Sequence, residues 1–436
     1  MLPPDHPQRL ALADEVHARP PEPLDTPSRA TYVALLVAPE DREREVAHLA
    51  ALCQQHRVTA PATGVRQFST QLGALRLKWE RHGEFSGLTV FTPGLSQRPF
   101  SEPVAALLPP GWLAGWPGTT IVAAHAKLIN APAAPPDAEM LAAHFGANIV
   151  VGAEIGDGAG IAYTDFRIHG DGFARFLVCN RSLTPRQAGR MLQRLFEIEA
   201  YRMMALLALP IARRQAPRTV TIERALAALT EQIAAGGSEG SSADEALLHE
   251  LTRLAAEVES GLAASQFRFG ACRAYHELVT TRIAELREAR LPGLQTIEEF
   301  MARRLTPAVA TCATSSQRLH DLSERVAQAS GLLSTRVDIT RERQNQALLA
   351  SMDRRARLQL RLQQTVEGLS VAAIVYYVVG LVGYLAKAGK AGGLPLQPDL
   401  AVGIAIPVVA LAVMLALRRA RRRLHKAEPG ASPHGR

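Results

Sequence analysis

Two uncharged apolar runs near the C-terminus, Leu369 to Leu385 and Leu400 to Leu417, constrain this chain more than any other feature. Each is close to the length an α-helix needs to cross a hydrocarbon layer about 30 Å thick. They are expected to form a transmembrane hairpin. Arginines crowd both outer flanks: Arg354, Arg355, Arg357 and Arg361 before the first run, then Arg418, Arg419, Arg421, Arg422 and Arg423 after the second. The short connection, Ala386 to Asp399, has only Lys387 and Lys390 as basic residues. By the positive-inside rule the outer flanks and both termini are cytoplasmic and the connection lies outside. Nearly all of the chain before Leu369 then stands in the cytosol on a two-helix anchor.

The formal net charge is +8, much of it beside the apolar runs. Juxtamembrane arginines facing anionic lipid account for it. No interleaving of aromatic and basic residues marks a base-stacking sheet, so membrane lipids are the expected partner and nucleic acid is not. Aromatics are only 5% of residues, which favours long helices over a large β structure. Four widely spaced cysteines, Cys53, Cys179, Cys272 and Cys312, form no CxxC pair, so a reduced compartment is expected. Met1 to Arg9 is proline-rich without an apolar core, and no cleaved signal peptide is expected.

Residues 1–30 read as an N-terminal arm. Within it Asp14, Glu15, His17 and Arg19 place two carboxylates, an imidazole and a guanidinium within six residues, a candidate ligand or proton-transfer cluster. The plainer alternative is a short capped helix or extended arm. Residues 31–215 read as an α/β domain. Tyr32 to Ala38 has strand length and is followed by a charged amphipathic helix over Pro39 to Arg57. Gly64 to Phe91 alternates as antiparallel strands, Trp112 and Trp116 are expected to cover a core edge, Thr119 to Leu128 is a strand, and Asp137 to Phe145 a short helix. Three β runs, Ala147 to Ile155, Gly160 to His169 and Phe173 to Cys179, are joined by Gly156-Asp157-Gly158 and Gly170-Asp171-Gly172. These triplets supply the positive φ angles of tight turns, so a β-meander is expected. Gly156, Gly158 and Gly160 lead into a strand, not a helix, and so lack the context of a phosphate loop.

Thr184-Pro185-Arg186-Gln187 carries the residues of a capping box with proline at the first helical position, predicting a helix to about Leu209 that stops at Pro210. Glu199 on its apolar face is expected to pair with a neighbouring arginine. After Pro217 the pattern is helical: Val220 to Ala234, a break at Gly236 to Ser242, a long helix to about Arg290, a short helix capped by Thr296 to Glu299, and a last one from Thr306-Pro307. In that last helix Leu319, Leu322, Val326, Ala329, Leu333 and Val337, then Leu348, Met352, Leu358, Leu362 and Val366, recur at three- and four-residue steps or their multiples. At about 1.5 Å per residue, Pro307 to Leu385 would make a rod of roughly 120 Å. Its seam has to pack against the preceding helices, copies of itself, or both, and a homo-oligomer is expected. The fold class is α+β: an α/β domain with an antiparallel β-meander, a helical stalk or coiled coil over 218–368, transmembrane helices over 369–385 and 400–417, and a basic tail over 418–436.

Leu332 to Asp338, Gln344-Asn345, Ser351 to Arg355 and Gln359 to Ser370 resemble the signature of the DUF3422 family, bacterial membrane-anchored proteins of unknown function. The resemblance continues through Arg273-Ala274-Tyr275, Leu286-Arg287-Glu288, Arg303-Arg304-Leu305 and the opening Glu15-Val16-His17-Ala18-Arg19-Pro20. It implies the bacterial inner membrane and no particular activity. The overall arrangement is also similar to that of CorA-type divalent-cation channels, whose Gly-Met-Asn motif is replaced here by Val382-Gly383-Tyr384-Leu385.

Three functions follow as expectations. The first is a non-enzymatic, membrane-anchored homo-oligomer acting as scaffold or sensor, for which Gly380 and Gly383 would permit close helix approach. The second is an ion conduit, with Glu367 at its mouth and Ser370, Tyr377 and Tyr384 along the first membrane helix; the tyrosines serve equally as interfacial anchors. The third is an enzyme drawing on Asp14, Glu15, His17, His125, Glu154, Asp165 and His169. No GxSxG or HExxH motif supports it, no cofactor is indicated, and no metal-ligand spacing occurs.

Overall fold

The computed structural model describes residues 3–10, 12–13, 20–62, 64–132, 136–235, 241–391 and 397–426. The chain forms two compact units, Met1–Leu333 and Ser334–Arg436.

The first unit is mixed α+β around a nine-stranded sheet. Its strands are β1 (Ser28–Leu36), β2 (Gln67–Leu72), β3 (Leu75–Arg81), β4 (Phe85–Pro93), β5 (Thr119–Asn130), β6 (Val151–Ile155), β7 (Gly160–Thr164), β8 (Ala174–Asn180) and β9 (Ala289–Arg290). They lie in the order β2-β3-β4-β1-β5-β8-β7-β6-β9. Neighbours are antiparallel except β5 and β8, which run parallel. The expected meander is β6-β7-β8, and Gly156, Asp157 and Gly158 all take positive φ in its first turn.

Helices cover both faces of the sheet: α1 (Arg42–Gln55), α2 (Ala138–Phe145), α3 (Pro185–Leu206), α4 (Leu209–Ala235), α5 (Ser241–Leu286), α6 (Ile297–Arg304) and the first part of α7 (Thr306–Ala391). Double coverage explains why β1 is a continuous apolar run. Its alternate residues Ala30, Tyr32 and Ala34 enter one core with Leu195 and Phe196 of α3, reached also by Phe269 and Ile283 of α5, Met301 of α6 and Leu319 of α7. Val33 and Leu35 enter the opposite core with Leu49 and Leu52 of α1, Leu77, Trp79, Trp112 and Trp116. The two tryptophans close an edge of that core against His48, which stacks on Trp112 at 4.8 Å. A third core, under α2, holds Phe145, Ile161, Tyr163, Leu177 and Cys179.

Local signals explain most helix starts. Thr184 and Thr296 both close full capping boxes, with Gln187 and Glu299 respectively. The strand expected over Gly160 to His169 ends at Thr164, and in the triplet after it only Gly172 takes positive φ. Three helix boundaries also differ from expectation. Pro210 does not stop a helix; it lies in the first turn of α4, where its missing N–H needs no partner, and α4 then runs through Pro217. Burial of Ile222, Leu226 and Leu229 along α4 offsets the lost main-chain bond. Next, α5 ends at Leu286 because Arg287 turns to a φ of 53° and the chain pairs with β6 as β9. Lastly, α7 continues past Leu385 to Ala391, since alanine and lysine are good helix formers and the lysines suit a helix C-terminus. The break expected at Gly236 to Ser242 falls largely outside the described residues.

The seam of α7 is buried in the first unit at Leu319, Leu322, Val326, Ala329 and Leu333. In the second unit Leu348, Met352, Leu358, Leu362 and Val366 are exposed. There α7 is joined by α8 (Pro398–Lys426). Less exposed positions of α7 at Glu367, Val371, Val375, Val379, Gly383 and Ala386 form a helical stripe. Gly383 lies on the side of α8: a Cβ there would stand 3.1 Å from Val402 Cγ2.

Candidate functional site

A buried ionic cluster lies between α3 and the β1-β3-β4 part of the sheet. Lys78 and Glu80 project from β3, Tyr32 from β1, and Gln193 and Glu197 from α3, around a cavity of about 30 Å³. Lys78 Nζ lies 2.9 Å from Glu80 Oε1 and donates to the Pro20 carbonyl at 2.9 Å and to Gln193 Oε1 at 3.3 Å. Tyr32 stacks on Phe196 at 5.0 Å, and burial pushes its phenol well above the ordinary value, so it stays protonated at neutral pH. Gln193 donates to Glu197 at 2.8 Å, Arg282 of α5 pairs with Glu197, and Arg194 binds Glu285 at 2.9 Å. A polar ladder thereby ties α3 to α5.

Residues 20–24 are strapped across this cluster. Leu24 N donates to the Pro185 carbonyl at 2.9 Å, Arg76 to the Pro23 carbonyl at 3.0 Å, and Ser69 Oγ to Glu22 at 2.6 Å. The strap passes so close to α3 that a Cβ on Gly189 would lie 1.7 Å from the Glu22 carbonyl oxygen. A helical glycine in an otherwise good helix former's position is explained by that approach.

The four residues of the N-terminal candidate cluster, Asp14, Glu15, His17 and Arg19, lie outside the described residues; Pro20, which follows them, supplies the carbonyl that Lys78 holds. The other titratable candidates are dispersed. His125 is buried on β5 and meets Thr31 Oγ1 at 3.0 Å through Nδ1. Asp165 accepts from Asn148 at 2.8 Å and faces His169 at 2.8 Å, a staple in the loop before β8. Glu154 binds Arg181 at 2.6 Å. Among the described residues no hydrogen bond or ion pair joins these three places, and no group of three His, Cys, Asp or Glu could hold a metal ion. Glu199 is buried and paired with Arg202 at 2.5 Å, as its place on α3 suggested. In the second unit Ser370, Tyr377 and Tyr384 are exposed on one face of α7, seven residues apart, with Glu367 one turn before; Arg354, Arg355, Arg418 and Arg419 are exposed on the flanks, and Arg421, Arg422 and Arg423 continue α8. Ser370 Oγ donates to its own helix, at the Val366 carbonyl, 2.9 Å away.

One cluster was not visible in the sequence. On the sheet face opposite α3, between the two cores, strand register sets Arg29 opposite Lys127 and Thr31 opposite His125, and His125 opposite Arg175. Phe100 lies over this row, 5.9 Å from Lys127 Nζ and 5.2 Å from the Arg175 guanidinium. Its backbone has a φ of 57°, a costly conformation for a bulky residue. Burial lowers the Lys127 ammonium, helped by the charge of Arg29, and lowers His125 to about 4, so that this imidazole is neutral at pH 7.

Residues 4–424 match the family described as "Protein of unknown function (DUF3422)". The chain belongs to the DUF3422 family. No curated protein and no solved structure matches it. Several stretches that resemble the DUF3422 signature do structural work here. Leu286 accepts from Gly156 N at 2.7 Å at the sheet edge, the Glu288 carboxylate caps α6 by accepting from Ile297 N and Glu298 N at 3.0 Å each, and Tyr275 packs on Tyr201 with ring centroids 5.8 Å apart.

Proposed function

We propose that the chain is a membrane-anchored homo-oligomer without catalytic activity, a scaffold or sensor whose α+β unit stands on the cytoplasmic side of the bacterial inner membrane. Two helices are long and apolar enough to cross a membrane. The observation that carries the proposal is their surface: Leu369, Leu381, Ile404 and Leu411 are each at least 60% exposed among the described residues. Contiguous apolar surface on that scale marks a membrane or protein contact. The arginines on the outer flanks suit the cytoplasmic side, and the open seam from Leu348 to Val366 suits a second copy.

The lysines make topology testable, because the chain has only five: Lys78, Lys127, Lys387, Lys390 and Lys426. A membrane-impermeant amine reagent added to intact spheroplasts is expected to label Lys387 and Lys390 and spare Lys426 until the membrane is opened. Labelling of Lys426 alone, or recovery of the chain in the carbonate-washed soluble fraction, overturns the anchored topology. Cross-linking in mild detergent that returns only monomer overturns the oligomer.

A second reading, an ion conduit, draws on Glu367, Ser370, Tyr377 and Tyr384 sharing one face of α7. Purified protein in vesicles that passes no cation under an imposed gradient removes it.

A further inference from the structure

We propose that Arg29, Lys127 and Arg175 form a binding site for the phosphate group of an anionic ligand, on the sheet face away from α3. The inference is independent of membrane insertion, since every residue belongs to the first unit.

The row is one anion short. Arg29 is met by Glu102 at 3.6 Å and Arg175 by Asp171 at 3.3 Å, both carboxylates standing at the rim with side chains 58% and 36% exposed. Lys127 is only 6% exposed, and among the described residues its ammonium has neither an ion pair nor a hydrogen bond; the Phe100 ring centroid stands 5.9 Å from it. The next acidic group along the row, Asp165, is taken by Asn148 and His169. A lysine withdrawn this far from water is normally paired with an anion. The surrounding donors are short of acceptors too. Arg29 Nε and Arg175 Nε are buried with no hydrogen-bond partner, although Arg29 donates from its terminus to the Glu102 carbonyl and Arg175 to the His144 carbonyl. His125 Nε2 is likewise without a partner. Thr31 Oγ1 accepts from Ala105 N at 3.3 Å and has a proton to offer His125 Nδ1; in that tautomer Nε2 carries the ring proton and is a donor.

The donor inventory selects the ligand class. Two Nε–H groups and a three-proton ammonium exceed the roughly four lone-pair sites of one carboxylate, while a phosphate group offers three or more oxygens and the higher charge. Paired arginines with a lysine supply forked donors plus a point charge, the usual protein answer to a phosphate. The group could belong to a soluble phosphate ester or to a lipid headgroup.

Full-length protein in uncharged detergent, held at constant ionic strength, is titrated with inorganic phosphate while thermal unfolding is followed. A saturable rise in Tm is expected, because a ligand that binds only the folded state stabilises it in proportion to ln(1 + [L]/Kd). Lys127→Met keeps the apolar stem and removes the charge. It is expected to weaken phosphate at least about tenfold, the loss of one charge-assisted contact, while raising Tm without phosphate. Glu102→Gln, at the exposed rim, removes a competing carboxylate and is expected to tighten phosphate about threefold, the scale of an exposed pair. The proposal is overturned by no phosphate-dependent shift, by an equal shift in Lys127→Met, or by weaker phosphate binding in Glu102→Gln. Acetate stabilising as well as phosphate overturns the phosphate assignment. Nanodiscs containing phosphatidic acid separate the sources: abolition of the inorganic-phosphate shift relative to phosphatidylcholine discs assigns a lipid headgroup, and its persistence assigns a soluble ester.

Discussion

Gly189→Ala tests the strap over α3 with a clear difference in sign. In an exposed helix interior, alanine is better than glycine by about 1 kcal/mol. Here the new methyl group would sit 1.7 Å from the Glu22 carbonyl oxygen, a main-chain atom with no side-chain freedom to retreat. Residues 20–24 would have to lift. Lifting releases four hydrogen bonds, from Lys78, Arg76, Ser69 and Leu24, each worth about 1 kcal/mol net. It also exposes Leu24, now 5% accessible, at a further cost of about 2 kcal/mol. Against the propensity gain, the net loss approaches about 5 kcal/mol if the strap detaches fully and is smaller if it only shifts. Thermal unfolding of the full chain in detergent measures the change, and timed chymotrypsin digestion reports cleavage after Leu24, within the strap. Faster N-terminal cleavage and a lower Tm are expected. A variant as stable as the parent, or more stable, with unchanged cleavage would refute the close approach.

Two further outcomes are expected. The His125 pKa is lowered to about 4 from 6.5. Its unfolded state therefore binds a proton first, and stability present above about pH 6.5 is lost as pH falls toward 4, by up to about 3 kcal/mol; His125→Gln should flatten that part of a urea-midpoint-against-pH curve. Glu45, fully buried, accepts from Trp79 Nε1 at 2.9 Å and binds Arg81 at 3.2 Å. Glu45→Leu leaves both donors without that acceptor and should cost about 3 kcal/mol in chemical denaturation, with a shifted tryptophan emission in the native state; an unchanged midpoint would show that the pair contributes nothing.

Signals that act over a few residues were legible in the chain. The capping residues Thr184 and Thr296, the Gly-Asp-Gly turn at 156–158 and the alternation of β2 to β4 specify local geometry by hydrogen bonds or sterics within one turn. Pairings over long distances were not. Nothing near Thr119 or Ala174 announces that β5 and β8 run parallel, and Ala289-Arg290 becomes a strand only because β6 offers an edge. Gly189 carries no mark separating it from a merely tolerated helix glycine; its reason is a carbonyl 167 positions earlier. In the chain His125 is one titratable candidate among several, and the basic row around it depends on register between Arg29, Lys127 and Arg175, which no spacing along the chain encodes.

The small strand β9 has a consequence for biosynthesis. Gly152 N finds its acceptor at Gln295 and Gly156 N at Leu286, so the outer edge of β6 is closed by residues emerging well over a hundred positions later. During translation that edge is a bare template, open to pairing with another nascent chain, until α3, α4 and α5 have all left the ribosome. A fragment ending near residue 215 would keep the exposed edge permanently and would also lack the α5, α6 and α7 side chains that complete the principal core. The helices after the sheet are thus its chaperone in cis, and a stop codon between them should yield inclusion bodies and not a smaller soluble protein.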